Sequence, residues 1–136
     1  MKTVMAFGTF DLLHAGHINF LKQAKRRGDL IVVIARDKTV GQVKHKMPRH
    51  NEIERLRAVR GLKLARTVVQ GSLTDKFAAL KKYKPDLIAL GYDQTHFTAE
   101  LKKKFKHIKI IRLKAFQPEK YKTSIIKNYE NSTRHE

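Results

Sequence analysis

The stretch Gly8-Thr9-Phe10-Asp11-Leu12-Leu13-His14-Ala15-Gly16-His17 holds the densest set of chemistry-bearing residues in the chain. His14 and His17 are three residues apart, so at the start of a helix both imidazoles fall on one face. Gly16 between them removes a side chain where an anion could approach, and Gly8 allows a tight turn and a close backbone approach. A helix N-terminus adds N–H donors and the positive end of the helix dipole. This constellation suits a phosphate group, with two imidazoles donating to it. The structural alternative is that one histidine caps the helix while the other packs. A zinc site needs a third ligand; His45 and His50 are the candidates, but no spacing brings them to the first pair, so no metal ligand is assigned. Neither a P-loop nor a G-x-G-x-x-G fingerprint is present.

These residues need a frame, and the chain supplies five short apolar runs: Lys2–Phe7, Asp29–Ala35, Thr67–Gln70, Asp86–Leu90 and His107–Arg112. Continuous rather than alternating apolar character predicts strands covered on both faces, as in parallel α/β architecture. Helical periods lie between them. Ala15–Arg27 places Ile18, Leu21 and Ala24 on one face with Gly28 at its C-cap. Asn51–Leu62 carries Ile53, Leu56, Val59 and Leu62 behind an Asn51 cap. Thr74–Tyr83, Thr98–Phe105 and a last helix near Thr123–Tyr129 complete the series. The order predicts an α/β fold, a Rossmann-like doubly wound parallel sheet of about five strands with flanking helices. One domain over residues 1–130 with a polar tail at 131–136 is expected. In such sheets ligands sit at the carboxyl ends of the strands. That rule singles out Gly8–His17, Arg36–His50, Gly91–His96 and Lys114–Ser124.

Composition narrows the classes. Thirty lysines and arginines against twelve aspartates and glutamates give a formal net charge of +18 over 136 residues. Self-repulsion of that size favours a strongly anionic partner, whether nucleic acid or a polyphosphate. Cysteine is absent, which excludes disulfides, Fe–S clusters, Cys-ligated zinc and thiol catalysis, and fits a cytoplasmic protein. No apolar run approaches the roughly 20 residues that span a bilayer, so no membrane partner is expected. The N-terminus lacks a secretory h-region and is read as mature sequence.

The segment GTFDLLHAGH resembles the HxGH nucleotidyltransferase superfamily, and within it the cytidylyltransferase-like branch, which includes glycerol-3-phosphate cytidylyltransferases and archaeal FAD synthases. The resemblance runs on through LKQAKRRGDLIVVIARD, through Lys44 and Lys46, similar to the branch's mobile basic loop, and to Arg55 at the start of the next helix. Leu90-Gly91-Tyr92-Asp93-Gln94 is similar to the stretch found in archaeal FAD synthases. Of the branch's closing signature only Thr123-Ser124 matches, and Arg66 stands where the branch usually has aspartate.

The resemblance implies transfer of a nucleoside monophosphate from a triphosphate to a phosphate monoester with release of pyrophosphate. ATP and FMN giving FAD is the preferred pair, and CTP with glycerol 3-phosphate or another polyol phosphate the rival. His14 and His17 would donate to the developing charge, with Lys44 and Asp11 as further catalytic groups. Gly8, Thr9, Phe10, Ala15, Gly16, Lys46, Arg55, Asp93, Tyr121, Thr123 and Ser124 would contact the nucleotide. Lys44, Lys46 and Arg55 are expected on the β- and γ-phosphates, and Asp11 on the acceptor or an ion. Mg²⁺ would arrive with the triphosphate, and a homodimer is implied. On the residues alone, Asp93 either accepts from a ribose hydroxyl or amino group, or turns the chain as an Asx motif. Thr123-Ser124 either bind phosphate or cap a helix, and Lys102-Lys103-Lys104 read as a solvated helix face. A basic nucleic-acid-binding module is the alternative of another class. No RRM, KH, zinc-finger or helix-turn-helix signature supports it, so no specific nucleic acid is expected.

Overall fold

Five aliphatic runs become five parallel strands because each has an apolar layer to bury on both sides. The structure, a computed structural model, describes residues 2–91, 94 and 98–114. Its strands are β1 (Thr3–Gly8), β2 (Asp29–Ile34), β3 (Thr67–Gln70), β4 (Leu87–Leu90) and β5 (Lys109–Arg112), in the spatial order β3-β2-β1-β4-β5. All four pairings are parallel. The helices are α1 (Ala15–Lys25), α2 (Asp37–Lys44), α3 (Glu52–Gly61), α4 (Ala78–Tyr83) and α5 (Thr98–Lys104). The doubly wound expectation holds: strand order reverses between β1 and β4, which puts the switch point beside the carboxyl end of β1.

Alternate strand residues feed two cores. Val4, Ala6, Leu30, Val32, Ile34, Val68, Leu87 and Ala89 pack with Leu21 and Ala24 of α1 and Val59 of α3. Met5, Ile31, Val33, Ile88 and Leu90 pack on the opposite face with Leu80 of α4 and Leu101 of α5. The period-two alternation of each strand thus assigns α1 and α3 to one layer and α4 and α5 to the other. No helix among the described residues is long and apolar enough to cross a membrane.

Several boundaries differ from the expected ones. Helix α1 stops at Lys25 and is capped by Arg26, so Gly28 serves the turn into β2 rather than the C-cap. Gly28 has φ +156°, and a Cβ placed there would lie 2.2 Å from the carbonyl oxygen of Lys2. That carbonyl accepts from the N–H of Asp29 and registers β1 against β2. Gly28→Ala is therefore expected to destabilise by at least ~2 kcal/mol, combining backbone strain with displacement of a ladder end. An unchanged urea midpoint for this variant would contradict the stated geometry.

Helix α4 begins at Ala78, not Thr74. The Ser72 hydroxyl accepts from the N–H groups of Thr74 and Asp75, and the Asp75 carboxylate accepts from the N–H of Phe77. Side chains thereby satisfy the backbone in turn geometry and delay the helix. Helix α2 is the largest departure, since no helix is expected between Asp29–Ala35 and Asn51–Leu62. The expected helix near Thr123–Tyr129 and the tail 131–136 lie outside the described residues.

Candidate active site

At the carboxyl end of β1 the chain turns sharply, and both Phe10 (φ 54°) and Leu12 (φ 53°) occupy the left-handed region. Bulky side chains rarely adopt it, so packing must hold them there. Phe10 is only 5% exposed; its ring lies edge-on to His17 at 5.7 Å and tilted against Phe20 at 6.2 Å. Gly8 is required beneath it, because a Cβ there would sit 2.6 Å from the Phe10 ring. Phe10 is thus a floor under His17, whereas the expectation for it was contact with the nucleotide.

His14 is the N-cap of α1, and its Nδ1 accepts from the N–H of Gly16 at 3.1 Å. His17 reciprocates: its Nδ1 accepts from the N–H of His14 at 3.3 Å. This is a capping box built from two histidines. The rings stack at 3.9 Å with 27° between their planes. The capping and packing roles and the shared face therefore coexist. An acceptor role for both Nδ1 atoms puts the proton of each neutral ring on Nε2. Desolvation lowers the pKa of His14. Burial, then the neighbouring His14 and Lys44, push that of His17 down to about 3, with Asp11 opposing. Two neutral imidazoles, each a donor through Nε2–H, result.

This has a consequence in solution. A histidine whose folded pKa is depressed takes up its proton more readily when unfolded. The His17 contribution is therefore complete above pH 6.5 and is lost as pH falls from 6.5 toward about 3. The ligand-free protein should show a His17 ring resonance that stays neutral from pH 8 to about 5. A titration midpoint near the ordinary value of 6.5 would show that the ring is not desolvated.

Lys44 ends α2, and its charge is one of the causes that lower the His17 pKa. Lys46 is exposed two residues further on. Far from being a free loop, this basic segment is tied to the first one. The Asp11 carboxylate, on a residue 6% exposed, accepts from the N–H of Arg49 at 2.7 Å and of His50 at 3.0 Å. The Arg55 guanidinium, on a residue 1% exposed, donates to the carbonyls of His50 at 2.9 Å and Thr9 at 2.8 Å and pairs with Asp37 at 2.7 Å. Arg55 joins two loop carbonyls and the Asp37 carboxylate, and Asp11 accepts from two backbone N–H groups, so each ties the first loop to the basic segment. Both are positioning residues.

The clasp extends to Asp37, Glu52 and Arg36, to which the sequence assigns no individual role. The N–H of Asp37 donates to the Glu52 carboxylate at 2.9 Å, and the N–H of Glu52 to the Asp37 carboxylate at 3.2 Å. The first turns of α2 and α3 thus cap each other with carboxylates, where the helix dipoles favour negative charge. Arg36 closes the set, pairing with Glu52 at 2.8 Å and donating to the Gly71 carbonyl at 2.7 Å. The signal available was positional: Arg36 and Asp37 directly follow β2 at the sheet's carboxyl edge. Ala15 is exposed at the first turn of α1, and Gly16 lies under the His14 ring nitrogen. Asp93, Tyr121, Thr123 and Ser124 lie outside the described residues. Among the described residues, no group of three or more His, Asp or Glu could hold a metal ion.

A doubly wound sheet that carries two Nε2–H donors after its first strand, and a lysine on the helix after its second, defines a phosphate-directed transferase site. The cytidylyltransferase-like family model matches residues 5–129, and the chain belongs to that family. Among curated proteins it is 44% identical over 122 residues to a FAD synthase of Ferroglobus placidus, covering 85% of this chain and 78% of the relative. It is 43% identical over 136 residues to a FAD synthase of Archaeoglobus profundus, covering 93% and 85%. Among solved structures, a lipopolysaccharide core biosynthesis protein from Thermoplasma volcanium superposes with a TM-score of 0.79 at 39% identity, covering 86% of this chain and 99% of that one. A pantoate-beta-alanine ligase from Francisella tularensis shares the fold alone, at TM-score 0.63 and 20% identity, covering 93% and 65%.

Proposed function

We propose that this protein is an FMN adenylyltransferase, moving AMP from ATP to the phosphate of FMN to give FAD and pyrophosphate. The observation that carries the chemistry is the pair of neutral imidazoles fixed as Nε2–H donors at the mouth of β1. The choice of ATP and FMN rests on the FAD synthase relatives, 42–49% identical, and on the Leu90–Gln94 stretch.

In this reading an FMN phosphate oxygen attacks the α-phosphorus, the bond to the bridging oxygen breaks, and pyrophosphate leaves. Charge grows on the α-phosphoryl and bridging oxygens, so the protein's work is positioning and electrostatic stabilisation. His14 and His17 supply neutral donors that need no solvent reorganisation at the moment of reaction. Lys44 and Lys46 offset charge on the β- and γ-phosphates. Mg²⁺ would arrive with the triphosphate substrate. Arg55 and Asp11 set the distance between the histidine loop and the basic segment. Asp93, Tyr121, Thr123 and Ser124 complete the nucleotide contacts in this reading, within a domain over 1–130. The protein acts in the cytoplasm as a homodimer, so sedimentation should give about twice the 15.8 kDa chain mass.

The test is pyrophosphate release with ATP or CTP, FMN or glycerol 3-phosphate, and Mg²⁺. Turnover with ATP and FMN is expected. Turnover with CTP and glycerol 3-phosphate alone would replace this reading with the cytidylyltransferase one. Absence of turnover with salt-sensitive, sequence-selective nucleic-acid binding would favour the basic binding module.

A further inference from the structure

Strands β1 and β4 meet at the switch point, but they do not stay together. β1 pairs with β2 out to Gly8–Ile34, whereas its pairing with β4 ends at Ala6–Ala89. Beyond that level the two strands part, and one side chain spans the opening. The Gln94 Oε1 accepts from the N–H of Gly91 at 2.7 Å, and its Nε2 donates to the carbonyl of Phe7 at 2.7 Å. The main-chain N–H of Gln94 donates back to the Gly91 carbonyl at 3.2 Å. From β5, Arg112 donates to the carbonyls of Gly91 and Gln94, each at 2.6 Å. The end of β4 is therefore moored to the residue that precedes Gly8.

We infer that Gln94 is a positioning residue for the nucleoside half of the substrate: its amide fixes the β4 wall of the crevice relative to the phosphate site on β1. The inference rests on the nucleotidyltransferase reading given above. A primary amide offers an acceptor and a donor from one planar group. Glutamate would turn an acceptor toward the Phe7 carbonyl, and leucine would satisfy neither partner. The phosphate end of the site is built independently, from His14, His17 and Lys44 on α1 and α2. Moving the β4 wall should thus disturb whatever part of the substrate lies beyond the phosphates and leave the polyphosphate contacts in place.

Calorimetric titration of the full chain with ATP, CTP and inorganic tripolyphosphate separates the two ends. For Gln94→Leu, the Kd for ATP is expected to rise about tenfold, the equivalent of one hydrogen bond lost. The ATP-over-CTP preference should narrow, and the Kd for tripolyphosphate should stay within about twofold of wild type, since charge contacts carry it. Gln94→Glu keeps the shape and the bond from Gly91, and is expected to show the same split should the leucine variant not fold. Unchanged ATP affinity and preference in a folded variant would overturn the inference, as would a parallel loss of ATP and tripolyphosphate. A wild-type protein that transfers no nucleotide and binds no ATP would instead refute the underlying reading, and is recognised before any variant is made.

Discussion

His17→Ala is expected to lower kcat by about 10²–10³-fold while the KM for the triphosphate moves far less, because a preorganised donor to a developing oxyanion acts mainly in the transition state. The geometry also separates the two histidines. His14 is the helix N-cap, so His14→Ala should lose a further ~1 kcal/mol of stability with its capping bond to Gly16. His17 lies against Phe10 and makes a longer 3.3 Å bond to the backbone, so its loss should fall more on turnover than on folding. Steady-state kinetics with circular dichroism on both variants checks this. A His17→Ala enzyme turning over near the wild-type rate would remove the imidazole pair from the chemistry.

Arg55→Met should be the most destabilising single change at the site. The guanidinium satisfies two carbonyls and the Asp37 carboxylate, and its side chain is fully buried. Removing it leaves two loop carbonyls unsatisfied and the Asp37 carboxylate, 25% exposed, without its cation, at a cost of about 3–5 kcal/mol. For a chain of this size that corresponds to a Tm lower by roughly 10–20 °C. Arg55→Lys should recover little, since a single ammonium cannot reproduce a planar fork aimed at three acceptors. Thermal melts of both variants beside Lys46→Ala, an exposed lysine expected to leave Tm unchanged, provide the check. An Arg55→Met protein melting with the wild type would mean that the clasp between the two loops contributes nothing.

The fold was largely legible because its strands are buried on both faces and read as unbroken aliphatic runs. Asp29–Ile34 is the plainest case, with five of its six residues buried. The α3 start was legible too: Asn51 and Glu54 form the capping box their spacing suggests. Helix α2 was not. It spans eight residues, carries Gly41 among the β-branched Thr39, Val40 and Val43, and begins at Asp37 behind an Arg36 N-cap that makes no side-chain capping bond. Low propensity and a single buried residue, Val40, leave no periodic trace; tertiary ties through Asp37 and Glu52 hold it instead. Arg55 and Asp11 were visible as residues of interest, but their backbone partners were not. A sequence shows a charge, whereas only the fold shows that its partners are backbone groups from a loop some forty residues away. Gln94 was quoted within the Leu90–Gln94 stretch, but its partner was not visible, since the carbonyl it caps belongs to Phe7, 87 positions earlier.

The central claim is that the two stacked imidazoles meet the α-phosphate. A crystal structure of the protein with an ATP analogue blocked at the α–β bridge, and Mg²⁺, tests it most directly. The α-phosphoryl oxygens should lie within about 3.2 Å of Nε2 of both His14 and His17. An α-phosphate bound elsewhere, with the two rings still stacked and no oxygen within reach, would contradict the account.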